Sequence, residues 1–240
     1  MDKNTWVILG ATSIIAEKFA QLAAEAGHDL LLVARDQPQL AIIAADIRLR
    51  YRVQCEEMTI DFAKDSSLLI EKLGNSQREF NLLIAYSLMI NNNKLDNNNI
   101  ASLIEVNIIS TVQIIHAYLN SRQKQHRLVY LSSVAAVKGR AKNSLYGASK
   151  SAIELYLQGL QQAATKNQFI TIARLGFIDT KLTFGEPGIF YASSPAACAK
   201  ACWRASLAHK RLIYHPFFWR FIMALISRLP FFLYQKMSKL

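Results

Sequence analysis

The amino-acid sequence predicts an α/β fold in which a doubly wound parallel sheet is covered by helices on both faces. Over the first 180 residues, short apolar runs alternate with segments whose apolar residues recur at helical spacing. The runs are apolar throughout, which is typical of strands that are buried on both faces. Strands that alternate with helices in this way form parallel sheets through right-handed crossovers. We therefore expect one α/β domain.

The predicted elements follow one another without an internal repeat. The first helical segment places Ile15, Phe19 and Leu22 on one face and stops at Gly27. The first five elements, in chain order, are a strand at 5–10, a helix at 15–27, a strand at 29–35, a helix at 38–50 and a strand at 53–61. The series continues with the strand "FNLLIAYS", a helical segment at 97–121, the strand "RLVYLSS", a helical segment at 144–166 and the strand "FITIARLG".

The composition limits the class of protein. With 240 residues, 52% of them hydrophobic, the chain is long enough for one sizeable core. Its cysteines are too few and too scattered for a disulfide framework or a zinc site, and we expect no metal; they are Cys55, Cys198 and Cys202. The N-terminal apolar run is too short for a signal peptide, so we expect a cytoplasmic protein.

The positive charge of the chain is concentrated at its C-terminal end. The net charge is +11, and residues 187–240 contribute +8 of it because they contain no Asp or Glu. The remaining 186 residues are close to balance. The cations of the tail lie among large apolar residues that a nucleic acid would leave facing water, so we expect no nucleic-acid partner.

The sharpest chemical motif is "YGASK", in which Tyr146 and Lys150 share one face of a predicted helix. An ammonium close to a phenol favours ionisation of the phenol, whose ordinary pKa of about 10 is too high for proton exchange near neutrality. The pattern alone is weak evidence, but Ser133 lies thirteen residues before Tyr146, and Asn107 lies a further twenty-six residues before Ser133.

With these four residues in place, the sequence resembles the short-chain dehydrogenase/reductase family from about residue 6 to residue 211. The motifs that carry the resemblance are "ILGATSIIA", "LLLVARD", "TIDF", "FNLLIAYS", "EVNIISTV", "VYLSSVAAVKGRAKNSLYGASKSA" and "ARLGFIDT". The resemblance implies a Rossmann-like fold in which Tyr146 exchanges a proton with the substrate oxygen. It also implies that Lys150 lowers the pKa of Tyr146 and binds the nicotinamide ribose, that Ser133 orients the substrate carbonyl, and that Asn107 links Lys150 to solvent through a water.

The same resemblance implies that the "ILGATSIIA" turn binds the pyrophosphate of a dinucleotide with its backbone N–H groups and the following helix end. The family has three glycines here, at the positions of Gly10, Ile14 and Ala16, and this sequence keeps only Gly10. The further cofactor-binding residues expected in the turn are Thr12, Ser13 and Ile15. The branched Ile14 lies beside the expected path of the phosphates, so its direction decides how well the turn can bind.

Other positions indicate which cofactor binds. Arg35 ends the second strand, where an arginine pairs with the 2′-phosphate of NADP and a carboxylate would instead bind NAD, so we expect NADP although Asp36 follows. The resemblance places Asp61 near the adenine, Ala85 along the cofactor, and Thr180 at the carboxamide or a phosphate. Two departures from the family pattern are Ser87 in place of glycine and Leu175 in place of proline.

We divide the chain into a reductase domain at residues 1–212 and an amphipathic basic segment at residues 213–240. A helix at 217–229 would carry a wide apolar face that includes Trp219, with only cations on its polar side, and Pro230 would end it. Such a helix suits the inner face of a membrane. The alternatives are packing on the protein itself or on a second subunit of a homo-oligomer.

The sequence thus favours an NADP(H)-dependent reductase that interconverts a carbonyl and a secondary alcohol. The apolar tail and an apolar lid region at 188–199 suggest an amphiphilic or lipid-linked small-molecule substrate. Two other hypotheses stay open. The chain could be a nucleotide-sensing or scaffold protein that has lost catalysis on the same fold, or a peripheral membrane-binding module whose active part is the tail.

Overall fold

The computed structural model describes residues 4–75, 78–180 and 191–237. Its centre is a parallel sheet of seven strands in the order β3-β2-β1-β4-β5-β6-β7. The strands are β1 Thr5–Leu9, β2 Asp29–Ala34, β3 Cys55–Thr59, β4 Phe80–Ile84, β5 His126–Ser133, β6 Gln168–Leu175 and β7 Leu212–His215. The strand order reverses between β1 and β4, and ligands of doubly wound sheets bind at the carboxyl ends of the strands near such a point. The predicted fold class is confirmed.

Helices cover both faces of this sheet. They are α1 Ile14–Glu25, α2 Gln37–Tyr51, α3 Ser67–Asn75, α4 Asn97–Ile104, α5 Ser110–Leu119, α6 Ser144–Ala163, α7 Pro195–Leu207, α8 Trp219–Arg228 and α9 Phe231–Lys236. A π-helical turn, Glu105–Ile109, joins α4 to α5. Single 3₁₀ turns lie at Asn92–Lys94 and Val134–Ala136.

The core has one layer on each face of the sheet. On one face α1, α2 and α7 pack against the strands, and the rings of Trp6, Phe19 and Trp203 meet with centroids 4.9–5.6 Å apart. On the other face lie α3, α5 and α6. There the buried Tyr118 hydroxyl donates to the Phe80 carbonyl at 2.8 Å. Because both faces are covered, the central strands β1, β2 and β4 are buried along almost their whole length, whereas the edge strand β3 alternates with exposed residues.

The continuous helical segment 97–119 is long and apolar enough, by length and composition, to cross a membrane. Its apolar face is occupied within the fold, because Leu103, Ile114, Ile115 and Tyr118 are buried there. This segment includes the π-helical turn that carries Asn107. Its hydropathy is therefore accounted for by its place as a core helix of the sheet.

The C-terminal part differs from the expectation in two respects. Residues 212–215 form β7 and pair with β6, so the expected division after residue 212 falls inside a strand of the sheet. The apolar face predicted for 217–229 is split, because Trp219 is buried against the protein while other apolar residues of α8 are exposed. Pro230 does separate α8 from α9.

The predicted lid at 188–199 also changes. Residues 188–190 lie outside the described part of the chain, and residues from Pro195 onward form the first turns of α7. Cys198 and Ala199 are fully buried there, and α7 packs against α1. These two residues belong to the core and do not form a lid, whereas Tyr191, Ala192, Ala196 and Ala197 are exposed.

Candidate functional site

The turn between β1 and α1 lies at the point where the strand order reverses. Gly10 has φ of +79°, in the left-handed region that favours glycine. Its N–H donates to the Val33 carbonyl at 2.8 Å. A Cβ at Gly10 would also lie 2.7 Å from the backbone nitrogen of Tyr86, so this position admits only glycine. The first glycine of the predicted motif is therefore required by backbone conformation and by a close approach of β4.

Helix α1 begins directly after this turn, and its N-terminus is open. The Ser13 side chain accepts no hydrogen bond from the helix, whereas side chains cap the N-termini of α2, α4 and α7. An uncapped helix start presents backbone N–H groups that bind anions. Ile14 is the first residue of α1 and is 38% exposed. Ala16 is fully buried in the core and allows α1 to approach the sheet.

The end of β2 carries the two residues that bear on cofactor choice. Arg35 follows β2 and its side chain is exposed. Asp36 is engaged elsewhere, because its Oδ1 accepts a hydrogen bond from the Gln39 backbone N–H at 3.0 Å and caps α2. The carboxylate that made the sequence pattern ambiguous is thus used as a helix cap, and the arginine is free to meet a ligand.

Asp61 lies two residues beyond the end of β3, near the same edge of the sheet. Its Oδ1 accepts a hydrogen bond from the Ala63 backbone N–H at 3.1 Å, and its Oδ2 lies 3.9 Å from the exposed ammonium of Lys64. These contacts are those of a strand-end turn. They leave one carboxylate oxygen on the solvent side, where an adenine amino group could approach.

The loop after β4 brings three residues of the "IAYS" motif to the site. Ala85 donates its backbone N–H to the Leu9 carbonyl at 2.9 Å, which continues the sheet beside the β1 turn. The Tyr86 ring stacks on Phe62 with centroids 3.8 Å apart. Burial raises the pKa of the Tyr86 phenol to about 12, so it stays neutral. Ser87, at the family's glycine position, lies near Tyr146 and acts on the pKa of its phenol.

Ser133 and Tyr146 meet beyond the end of β5. Ser133 is the last residue of β5, and its Oγ accepts a hydrogen bond from the Ala135 backbone N–H at 3.1 Å. Tyr146 lies in the first turn of α6. Burial raises the pKa of the Tyr146 phenol, and the nearby side chains of Ser133 and Ser87, together with the charge of Arg140, oppose that rise.

Lys150 lies one turn after Tyr146 and is 3% exposed. Its ammonium donates to the Leu131 carbonyl at 2.9 Å and lies 4.8 Å from the Tyr130 ring centroid and 5.9 Å from that of Tyr146. Burial lowers the pKa of Lys150 to about 7, and the negative charge of Glu154 opposes this shift. A lysine whose pKa is near neutrality can both hold and release a proton.

Asn107 is buried in the π-helical turn and joins two parts of the site. Its Oδ1 accepts from the Leu88 N–H at 2.7 Å, and its Nδ2 donates to the Leu88 carbonyl at 2.8 Å and to the Ser149 Oγ at 2.9 Å. The side chain therefore fixes the residue after Ser87 to the residue before Lys150.

A buried ion pair supports this arrangement from behind. The Glu154 carboxylate accepts two hydrogen bonds from Arg174, at 2.8 and 2.6 Å, and one from the Ser132 hydroxyl at 2.5 Å. The Arg174 guanidinium also donates to the Tyr214 hydroxyl. The network ties α6 to β5, β6 and β7, one turn of helix beyond Lys150.

The end of β6 is covered by the first turn of α8. Gly176 donates its N–H to the His215 carbonyl at 2.8 Å, and a Cβ at this glycine would collide with the Trp219 indole. Leu175, where the family has proline, is buried at the end of β6. Thr180 lies beyond the bridge between Ile178 and Ser193, next to residues outside the described part of the chain.

Three residues of this site were not predicted from the sequence. Ser87 was identified only as a departure from the family glycine, and its hydroxyl reaches Tyr146. Arg140 lies in the loop before α6, where no spacing rule marks it. Trp219 lies more than forty residues beyond Gly176, and its only sequence signal was the apolar periodicity of the tail.

Comparisons with known proteins agree with this geometry. A family model described as short chain dehydrogenase matches residues 4–185. An uncharacterized oxidoreductase of Staphylococcus saprophyticus is 26% identical over 185 residues, which cover 74% of this chain and 79% of that protein. An uncharacterized oxidoreductase of Mycobacterium tuberculosis is 24% identical over 241 residues, which cover 97% of this chain and 96% of that protein.

Solved structures have the same fold. A short-chain dehydrogenase from Sphingobium yanoikuyae in complex with NADPH matches with a TM-score of 0.81 and 21% identity, covering 95% of this chain and 96% of that one. The bulky-bulky ketone specific alcohol dehydrogenase from Comamonas testosteroni matches with a TM-score of 0.82 and 18% identity, covering 96% of each chain.

Proposed function

Because the chain belongs to the short-chain dehydrogenase/reductase family and is an oxidoreductase of that type, we propose that it uses NADP(H) to interconvert a carbonyl group and a secondary alcohol. The observation that carries the proposal is the meeting of Tyr146, Ser133 and Lys150 beyond the carboxyl end of β5. Together they supply a proton donor, a hydrogen bond for the substrate oxygen and a buried amine with a pKa near neutrality.

In the proposed reduction, the Tyr146 hydroxyl gives its proton to the carbonyl oxygen, and it accepts that proton in the reverse direction. Ser133 donates a hydrogen bond to the same oxygen and stabilises the negative charge that develops there. When bound, the nicotinamide supplies the hydride that goes to the carbonyl carbon. Lys150 binds the nicotinamide ribose and passes a proton to Tyr146. The side-chain amide of Asn107 is engaged with its neighbours. We therefore propose that the main-chain carbonyl of Asn107 binds the water that links Lys150 to solvent.

The residues at the β1–α1 turn fit a dinucleotide. The left-handed Gly10 allows a tight turn against the Tyr86 backbone, and the start of α1 that follows it has no side-chain cap. Thr12, Ser13 and Ile15 lie where backbone and hydroxyl donors would meet the pyrophosphate. Asp61, Ala85 and Thr180 are the further residues that we assign to the cofactor. The NADPH complex of the Sphingobium protein supports the choice of cofactor.

The expected preference for NADPH depends on Arg35. An exposed guanidinium with no described carboxylate partner can pair bidentately with the 2′-phosphate, whereas an aspartate there would accept the free 2′-hydroxyl. We expect R35D to weaken NADPH binding at least about tenfold, or about 1.4 kcal/mol, and to leave NADH binding equal or tighter. Titration of tryptophan fluorescence measures both constants. An unchanged NADPH constant would contradict the assignment, and R204Q, at an exposed arginine of α7, is the matched control.

The reaction class is tested by a substrate screen. Full-length protein and NADPH are mixed with keto-sugars, keto-lipids and aliphatic ketones, and NADPH oxidation is followed by absorbance. The proposal predicts turnover in at least one class, with a secondary alcohol as product by mass spectrometry. Silence toward all three classes, with NADPH bound normally, would favour a nucleotide-sensing or scaffold protein on this fold.

We further propose that α8 and α9 rest on an anionic membrane surface at the cytoplasmic side. Phe217, just before α8, and Phe221 and Leu225 on α8 form an apolar ridge, with exposed fractions of 62%, 64% and 66%. The ridge continues into α9 with Phe231 and Phe232, which are also exposed. Residues 187–240 contain cations and no Asp or Glu, which complements anionic headgroups.

The apolar ridge also supports the proposal that the substrate is amphiphilic. The opposite side of α8 packs on the catalytic region, where Trp219 and Met223 contact Val134 beside Ser133. The same helix thus borders the site on one side and presents apolar side chains on the other. An apolar chain held at the surface would reach the site past this helix.

Vesicle binding tests the membrane contact. We expect the double variant F221S/L225S to reduce binding to phosphatidylglycerol vesicles at least about tenfold, because full burial of each side chain is worth about 1.5–3 kcal/mol. Vesicle sedimentation measures the change. The matched control is I42S/L49S, at apolar residues of α2 that are 70% and 81% exposed. Equal recovery of wild type and F221S/L225S with the vesicles would exclude the ridge as the contact.

A homo-oligomer is the remaining part of the proposal. Leu155 on α6 is 71% exposed and Ile109 in the neighbouring π-helical turn is 41% exposed, which offers an apolar face outside the tail. Sedimentation equilibrium of the full chain in detergent-free buffer distinguishes a dimer or tetramer from a monomer.

A further inference from the structure

The loop between β5 and α6 places an arginine beside the proposed catalytic tyrosine. Arg140 lies six residues before Tyr146, and its guanidinium carbon is 5.7 Å from the centroid of the Phe177 ring. Phe177 directly follows Gly176 and packs edge-on against Trp219, with centroids 5.5 Å apart. Arg140 therefore lies between the catalytic loop and the end of β6, on the side that α8 covers.

Among the described residues, the side chains around Arg140 are aromatic and none of them is a carboxylate. The guanidinium is largely buried, and burial lowers its pKa. The groups that act on it electrostatically are the hydroxyls of Tyr146 and Tyr234. Its neighbour Lys138 lies over the Tyr234 ring, with the ammonium 4.9 Å from the ring centroid. The pocket around Arg140 is thus formed by phenols, aromatic rings and a second cation.

No carboxylate neutralises this arginine within the described part of the chain. After Glu105 the sequence contains three acidic residues, Glu154, Asp179 and Glu186. Glu154 is already bound twice by Arg174, and residue 186 lies outside the described residues. No ion pair joins Arg140 to a described carboxylate. A largely buried cation without an anion costs free energy, which a bound anion would recover.

From this placement we propose that Arg140 binds an anionic group of the substrate, a phosphate or a carboxylate, while the substrate carbonyl meets Tyr146. The inference rests on the proposed reductase function and adds that the substrate of this function is negatively charged. A guanidinium presents two parallel N–H donors that match the oxygens of either group. The Phe177 ring holds the plane of the guanidinium, and α8 and α9 close the pocket, so the anion would be shielded from water and the interaction strengthened.

Arg140 also has a simpler role open to it, because its charge favours ionisation of Tyr146. That role would change the rate of the reaction with every substrate, charged or neutral. Anion recognition would instead change the binding of charged ligands alone. A binding measurement with a charged and a neutral ligand of the same chain length therefore separates the two.

The test uses full-length protein saturated with NADP⁺, so that the phosphate site at Arg35 is filled. Isothermal titration calorimetry gives the dissociation constants of n-octyl phosphate, n-octyl glucoside and inorganic phosphate for wild type, R140Q and R204Q. We expect R140Q to weaken octyl phosphate binding at least about tenfold, in line with a charged hydrogen bond, and to leave octyl glucoside binding unchanged. R204Q should match the wild type, and inorganic phosphate should bind more weakly than octyl phosphate.

Failure of octyl phosphate to bind wild type, or equal binding to wild type and R140Q, would overturn the inference. If R140Q does not fold, R140K replaces it as the test. Lysine keeps the positive charge but lacks the two parallel N–H donors of the guanidinium, so R140K should still weaken octyl phosphate binding. Binding of R140Q to phosphatidylglycerol vesicles should equal that of wild type, since a loss there would assign Arg140 to lipid headgroups instead. NADPH titration of R140Q tests the reductase site separately. If R140Q binds both NADPH and octyl phosphate as the wild type does, the anion site is refuted and the proposed reductase function is not.

Discussion

The variant Y146F is expected to lose turnover by a factor of about 10²–10⁴ while binding NADPH as the wild type does. General acid catalysis by a positioned side chain contributes a factor of this size, and phenylalanine keeps the ring of Tyr146 but has no proton to give. The hydroxyls of Ser133 and Ser87, which lie near the phenol, remain to orient the substrate oxygen. Steady-state NADPH oxidation with the best carbonyl substrate from the screen measures the rate.

The control for this variant is Y156F on the same helix. Tyr156 packs at the edge of the core layer formed by α3, α5 and α6 and lies outside the site. Y156F should therefore keep full activity. Retained turnover in Y146F would refute the role of Tyr146. Loss of NADPH binding together with turnover would instead mean that the ring, and with it the nicotinamide end of the site, had been displaced.

The variant E154A is expected to lower the free energy of unfolding by about 3–5 kcal/mol, the usual cost of removing one partner of a buried ion pair. Glu154 is 2% exposed, and its removal leaves the Arg174 guanidinium and the Ser132 hydroxyl without their acceptor. The loss loosens the contacts of α6 with β5 and β6. Urea unfolding followed by circular dichroism measures the change.

The matched control is D46A, which removes an exposed ion pair. Asp46 meets Arg50 at 2.7 Å on the solvent side of α2, with side chains 35% and 62% exposed. Exposed pairs of this kind contribute at most about 1 kcal/mol. Equal losses in E154A and D46A would show that the buried network does not stabilise the fold. Because Glu154 opposes the lowering of the Lys150 pKa, E154A should also lower that pKa further.

The sequence predicts the sheet and its helices well because these depend on local periodicity. Strands buried on both faces are apolar throughout, and the helices that cover them place apolar residues three or four apart, so both patterns are visible in a single chain. The motif around Tyr146 follows from the same regularity, since a spacing of four on one helix fixes which residues are neighbours. The strand ends then bring Gly10 and Ser133 to one edge of the sheet.

Contacts between distant segments could not be predicted in this way. The periodicity of α8 indicates an apolar face but not which part of it is covered, and the structure buries Trp219 because Gly176 leaves room for the indole. The apolar residues at 188–199 resembled a lid, yet Cys198 and Ala199 are buried in α7, which packs against α1. Arg140 follows no spacing rule, because its significance lies in its three-dimensional surroundings, where no carboxylate of the described residues pairs with it.

The turn after β1 differs from the family pattern at Ile14. This branched residue, in place of a turn glycine, is the first residue of α1 and is 38% exposed. The turn keeps the two features that a pyrophosphate needs, a tight left-handed glycine and an open helix start.

Titration of the full-length protein with NADPH and with NADH, followed by tryptophan fluorescence, tests the central claim most directly. Trp219 packs on Gly176 at the proposed nicotinamide end, so a bound cofactor should quench it. We predict saturable quenching by NADPH at a concentration at least about tenfold lower than for NADH, a difference of about 1.4 kcal/mol. If neither NADPH nor NADH binds, the result would contradict the account.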